Sequence, residues 1–230
     1  MPDDPFNYVH PATGCAKCPA LVPGRHTVVW GSGPPKAEVM FIAEAPGQRE
    51  DMEGRPFVGP AGQLLSELCM AAGIRRTEVH IANRLMCRPP GNRDPETIEL
   101  DNCEPWLLEH IRNVDPKLVV LFGRYALSWY FDKHAVADTA GLMYIDRCDW
   151  CGNFRHQGHR DLVAVDGNWR YEDPTVGMEA PHEFRTRLVL ATYHPAWLLR
   201  DQKPENRAIV VNAMRRAMSE LAHAKEHQLV

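Results

Sequence analysis

The feature that most constrains this chain is a set of short apolar runs in which apolar and polar residues do not alternate. They lie at 38–43 (EVMFIA), Val79–Ala82, Leu118–Phe122 (LVVLF) and Leu188–Ala191 (LVLA). A strand with one solvated face alternates; a strand without alternation has to be covered on both faces, as in a parallel sheet. Stretches with helical spacing separate the runs. Residues 61–72 put Leu64, Leu65 and Leu68 on one stripe. Asp94, Pro95 and Glu96 read as the N-cap, first position and first turn of a helix reaching about Val114, with Ile98, Trp106, Leu107 and Ile111 inward. A last helix, about Glu205 to Ala224, aligns Ile209, Val210, Ala213, Met214, Ala217 and Leu221. This alternation predicts a three-layer α/β/α sandwich around a central, mostly parallel sheet.

Ligands of such sheets bind beyond the carboxyl ends of the strands. Glu44–Gly47, Asn83 and Tyr193-His194-Pro195 each follow an apolar run and are expected at that edge. Residues 132–187 are polar with no clear periodicity, and we read them as an insertion on a single domain covering 1–230. With 44% hydrophobic and 24% charged residues the chain is neither disordered nor fibrous. A net charge of −4 gives no whole-protein cationic field, so a nucleic-acid partner must be held by a local patch. No run approaches the roughly 20 apolar residues of a membrane span, and the acidic start MPDDPFNYVHP is unlike a signal peptide. These features predict a cytoplasmic, monomeric protein with no membrane partner and reduced thiols.

Seven cysteines are present. Cys15 and Cys18 are separated by two residues; Cys87 and Cys103 follow, one after a strand and one in the next helix. A close pair lets a tight turn aim two thiolates at one metal or cluster, and spacing alone does not separate zinc from [4Fe–4S]. Cys148 and Cys151, with His156 and His159, are either a second metal site or a reduced loop. Cys69 reads as a small core residue.

In chain order, Cys15-x2-Cys18, Glu44-Ala-Pro-Gly47, Glu50-Asp51, Gly54-Arg-Pro-Phe-Val-Gly59, Ala61-Gly62, Asn83, Cys87-Arg-Pro-Pro90, Cys103 and His194-Pro-Ala196 resemble the iron–sulfur, family 4 uracil-DNA glycosylases. The likeness covers roughly 15–130 and 188–222. It implies a four-stranded parallel sheet, uracil-containing DNA as partner, and a structural [4Fe–4S] cluster on Cys15, Cys18, Cys87 and Cys103. It makes Phe57 the face that stacks on uracil, Asn83 the reader of the amide edge, and His194 the donor to uracil O2. Ala45 would lie at the pocket, where better-known relatives carry an aspartate. Glu44 is then the nearest carboxylate for positioning water or stabilising the sugar cation, with Asp51 a weaker candidate.

Read without the resemblance, Phe57 is an ordinary core phenylalanine, Asn83 a turn residue and His194 a structural histidine. Arg49, Arg55, Arg84, Arg88 and Arg93, with Arg200, are candidates for gripping phosphates. Ala196-Trp-Leu-Leu199, ending in Leu199, is the expected apolar wedge that fills the stack after base flipping, or else a buried hydrophobic turn. Two functions compete: excision of uracil, initiating base-excision repair, and a DNA-binding protein on the same scaffold with weak or no excision or another modified base. A redox role for Cys15 and Cys18 would need a thioredoxin-like unit, which the pattern lacks.

Overall fold

The computed structural model describes residues 14–130, 136–146, 160–161, 187–201, 203–227 and 230. Its centre is four parallel strands: β1 (Val39–Ala43), β2 (Val79–Asn83), β3 (Leu118–Phe122) and β6 (Arg187–Thr192), each buried along its whole length. Successive side chains point to opposite faces. Met40, Ile42, Val119, Leu121, Val189 and Ala191 pack against α3 (Thr97–Val114) and α4 (Gly123–Tyr130). Phe41, Val120, Phe122, Leu188 and Leu190 pack against α2 (Pro60–Ala72), α6 (Pro195–Asp201) and α7 (Pro204–Glu226). The expected three layers follow from this division. A short α1 (Gln48–Glu53) leads from β1 towards α2, and α5 (Val136–Thr139) follows α4.

The sheet is wider than the expected four strands. Its order is β2-β1-β3-β6-β4-β5, with β4 (Met143–Asp146) antiparallel to β6 and β5 (Arg160–Asp161) antiparallel to β4. Both lie inside the stretch read as an insertion without periodicity. β4 has only four residues, too short to show a period, yet Met143 is 2% exposed and the strand covers the edge that β6 would otherwise present. Cys148, Cys151, His156 and His159 lie outside the described residues.

Two local expectations are corrected. The helix expected from Asp94 begins at Thr97, because the Glu99 carboxylate accepts the Glu96 N–H at 2.9 Å and makes Glu96 the cap. Asp94 instead pairs with Arg124. Consequently Ile98, one residue into the helix, is 60% exposed rather than inward, and Ile209 on α7 is also exposed.

Asp51 is 1% exposed, and its carboxylate accepts the backbone N–H groups of His26 at 2.9 Å and Thr27 at 3.3 Å. It fastens the segment after the first cysteine pair to α1 and has no opening to a pocket, which removes it as a water-activating candidate. Asp51→Ala strands these donors and is expected to cost about 1–3 kcal/mol. Thermal unfolding should show it as a drop of roughly 2–4 °C per kcal/mol, with Asp51→Asn milder.

Candidate active site

From β1 the chain crosses to β2 on one side and then to β3 on the other, and it leaves β1 towards α2 on one face of the sheet but leaves β3 into α4 on the other. Such a reversal of strand order opens a crevice. Here a cavity of about 730 Å³ occupies it, lined among others by Glu44, Ala45, Phe57, Asn83, Gly123 and His194. The residues expected at the sheet edge are therefore brought together, from the ends of four strands and one loop.

Asn83 is the last residue of β2, in register with Ala43, and is 3% exposed. The chain beyond it continues to pair, Arg84 N–H with Ala43 O and Leu85 N–H with Glu44 O. This holds the Asn83 and Glu44 backbones side by side. Glu44 faces the start of α4, where its carboxylate accepts the Tyr125 N–H at 3.4 Å. Burial raises its pKa, against the lowering effects of that N–H and of Arg124. Ala45 is half-buried beside the core.

Gly123 is the residue that the sequence reading missed. It has φ +81°, and a Cβ there would come within 2.5 Å of Glu44 Oε1 and 2.9 Å of His194 Cβ. Only glycine allows the end of β3 to pass between these two side chains. Its signal was available: a glycine directly after LVVLF.

The His194 imidazole lies 5.7 Å from the Phe57 ring at an interplanar angle of 24°. Its Nδ1 accepts the Ala196 N–H at 3.1 Å, so the neutral ring carries its proton on Nε2. Burial, aided by the nearby Arg200 charge, lowers its pKa to about 4. Phe57 is 6% exposed, adopts φ 55°, and meets Phe122 edge-on at 6.4 Å. Glu50 ties its loop to α1. One carboxylate oxygen accepts the N–H groups of Val58 and Gly59 at 3.0 and 2.8 Å, and the other that of Gly47 at 3.1 Å.

Cys15, Cys18, Cys87 and Cys103 also converge, on the α3 side of the sheet. Burial pushes the Cys103 thiol up to about 12, with the other three sulfurs adding to the rise. Burial likewise raises Cys18 and Cys87. Three N–H donors face the sulfurs: Arg25 to Cys87 at 3.0 Å, Met86 backbone to Cys103 at 3.3 Å and Asn102 to Cys18 at 3.7 Å. An all-thiolate donor set with N–H groups aimed at sulfur suits an iron–sulfur cluster. Among the described residues no three of these sulfurs lie within 4.8 Å of one another. A single zinc with bonds of about 2.3 Å would draw them closer than that. Cys69 is 1% exposed in the core, as expected.

The family model described as the uracil DNA glycosylase superfamily matches residues 30–217, from the segment before β1 into α7. The chain belongs to that superfamily. It is 36% identical over 188 residues to a type-4 uracil-DNA glycosylase of Sulfurisphaera tokodaii, covering 79% of this chain and 70% of the relative. It is 35% identical over 205 residues to one of Thermotoga maritima, covering 89% and 88%. A third, from Saccharolobus solfataricus, is 47% identical over 120 residues, covering 52% and 55%.

The expected arginine patch of this superfamily member is only partly at the pocket. Arg84 is 9% exposed and donates to Tyr125 O at 2.9 Å, so it braces α4. Arg93 lines the pocket but is paired with Glu99 at 2.6 Å. Arg88 donates to Asn92 Oδ1 at 2.8 Å. Arg49 is exposed, and Arg55 lies 3.8 Å from Glu53 beside a second cavity. Arg200 lines the pocket, with Trp197 of the expected wedge and with Arg124, which sequence reasoning does not find. Leu199 packs partly buried against the core rather than at the pocket wall.

The depressed pKa of His194 has a defined sign. An unfolded imidazole takes a proton near pH 6.5, whereas the folded site refuses it until about pH 4. The stability associated with the neutral ring is therefore complete above pH 6.5 and declines as pH falls towards 4. Nitrogen-15 NMR of the imidazole is expected to show the Nε2–H tautomer at neutral pH and no titration midpoint above about 5. A midpoint near 6.5 would contradict the assignment.

Proposed function

We infer that this chain excises uracil from DNA by hydrolysing the N-glycosidic bond, the first step of base-excision repair. The observation that carries the reading is the convergence on one pocket of a neutral His194 with its proton on Nε2, the Phe57 ring, and the Asn83 carboxamide. Among the described residues Asn83's side chain makes no hydrogen bond, so both its C=O and NH₂ are available to a ligand. A flipped base requires such a set: an aromatic face, and paired donor and acceptor groups for its amide edge.

In this reading Phe57 stacks on uracil and Asn83 reads its N3–H and neighbouring carbonyl. His194 Nε2–H donates to O2. When the C1′–N1 bond breaks, its electron pair leaves with the base, and negative charge grows on O2. A fixed neutral donor stabilises that charge without first giving up a proton. Water then adds to C1′ of the sugar cation and loses a proton. Glu44 holds that water with the oxygen left by its Tyr125 contact, and its raised pKa favours receiving the proton. Because the cation forms first, the demand on Glu44 as a base is small, and Ala45 in place of an aspartate is tolerated. Arg200 and Arg124 at the pocket wall contact phosphates, and Trp197 beside them faces the opened stack.

Cys15, Cys18, Cys87 and Cys103 would hold a [4Fe–4S] cluster. Its contribution is structural: it joins the N-terminal segment to the loop after β2 and to α3, and supplies no group to the scissile bond. No described helix is long and apolar enough to cross a membrane.

The test is incubation with oligonucleotides that differ only in carrying uracil, thymine, hypoxanthine or a modified pyrimidine, followed by alkaline cleavage at abasic sites. Cleavage at uracil alone is expected; binding without cleavage at any base would sink the reading. His194→Ala and Asn83→Ala should each lower single-turnover excision by about 10²–10³-fold with unchanged circular dichroism. Cys103→Ser should lose iron, acid-labile sulfide and visible absorbance together; wild-type protein carrying zinc alone would overturn the cluster.

A further inference from the structure

The Phe57 platform has a second side. Behind it lies a separate cavity of about 520 Å³, lined by Arg55, Phe57, Gly62, Ser66 and Arg76 among others. Arg76 stands after α2, in the turn leading to β2, and does not line the substrate pocket. Its guanidinium is half-buried and makes three contacts. Nη2 donates to the Phe57 carbonyl at 2.6 Å, and Nη1 donates to the Gly62 carbonyl at 2.8 Å and to Ser66 Oγ at 2.6 Å.

The Phe57 carbonyl and the Val58 N–H belong to one peptide group. Arg76 holds the oxygen at one end, and Glu50 accepts the N–H at the other at 3.0 Å. A cation and an anion thus fix the plane of a single peptide unit. That unit follows a residue at φ 55°, a left-handed conformation that a phenylalanine does not adopt without support. The first turn of α2 closes the arrangement. A Cβ on Gly62 would lie 1.8 Å from the Phe57 oxygen, so only glycine lets the helix approach closely enough for one guanidinium to bridge both carbonyls.

We propose that Arg76 is a positioning residue for uracil excision: reaching through the back of the pocket, it holds the Phe57 backbone so that the ring faces the flipped base. The inference rests on the reading of Phe57 as the stacking platform. Arg76 touches neither base nor sugar. Its fork geometry is the reason for arginine at this position, since a lysine ammonium is a point donor and cannot span carbonyls on two elements in one plane.

The experiment is a double-mutant cycle on the full-length, cluster-loaded protein, with single-turnover excision of uracil and thermal unfolding read for each variant. Arg76→Ala is expected to lower the excision rate at saturating enzyme at least tenfold. Affinity for DNA bearing an abasic site, which offers no base to stack, should change less than twofold. In a Phe57→Ala background the same substitution should change excision less than twofold, while its effect on melting temperature stays the same in both backgrounds. Arg76→Lys should recover the melting temperature more fully than the rate. Should Arg76→Ala fail to fold, Arg76→Lys and Arg76→Gln carry the same cycle. Equal losses of rate with and without Phe57 would overturn the inference and make Arg76 a general structural residue. A Phe57→Ala variant that excises normally would overturn the platform reading and the inference with it. An inactive Phe57→Ala beside a fully active Arg76→Ala would overturn the inference alone.

Discussion

Burial of the central strands on both faces is the constraint from which the site follows. With helices over both sides of β1, β3 and β6, no polar side chain can leave the sheet except at its ends. The functional groups are therefore at strand termini: Glu44 after β1, Asn83 ending β2, Gly123 after β3 and His194 after β6. The reversal of strand order between β1 and β3 sends their connections to opposite faces and opens a crevice at the carboxyl edge, which puts these four within one cavity. The strands supply rigidity as well as position. Asn83 and Glu44 are spaced by continuing backbone pairs rather than by loop conformation.

Phe57 is the exception, since it arrives on a loop. A loop is a poor mount for a stacking residue unless its peptide groups are held from outside. Here the Glu50 carboxylate gathers three backbone N–H groups and Arg76 gathers two carbonyls, so the strained turn is bonded on both sides. Neither charged side chain points at an opposite charge in a surface pair of little worth. Each is used on backbone, where geometry matters most. The same device recurs at lower stakes in Asp51, whose carboxylate holds His26 and Thr27.

The parts of this architecture that were legible in the sequence are those written in periodicity and in residue type at strand ends. Non-alternating runs announced β1, β2, β3 and β6, and the carboxyl-edge rule grouped Glu44, Asn83 and His194 before any coordinates. What failed was local or short. Asp94 is the better cap by residue type, and only the reach of the Glu99 carboxylate to the Glu96 N–H moves the helix start to Thr97. β4 has four residues and no visible period, and the evidence for it is tertiary: a partner edge on β6. Gly123 was overlooked because a glycine after a strand has many explanations, and its reason is a close approach by two distant side chains. The His194 tautomer was illegible for the same cause, being fixed by the Ala196 N–H in the folded turn.

The arginines show how an acidic protein can serve an anionic substrate. A net charge of −4 repels DNA at long range, so binding depends on cations near the crevice. Composition suggested a patch of five within the first half of the chain, but folding consumes part of it: Arg84 braces α4 and Arg93 is held by Glu99. What remains at the pocket wall is Arg124, itself shared with Asp94, and Arg200. A small number of phosphate contacts gives weak, salt-tolerant attraction to DNA in general. In the proposed reading, discrimination then comes from the pocket, where Phe57, Asn83 and His194 meet only a base that has already left the stack. Weak general binding and strict local recognition suit a chain that must pass over many undamaged bases for each one it removes.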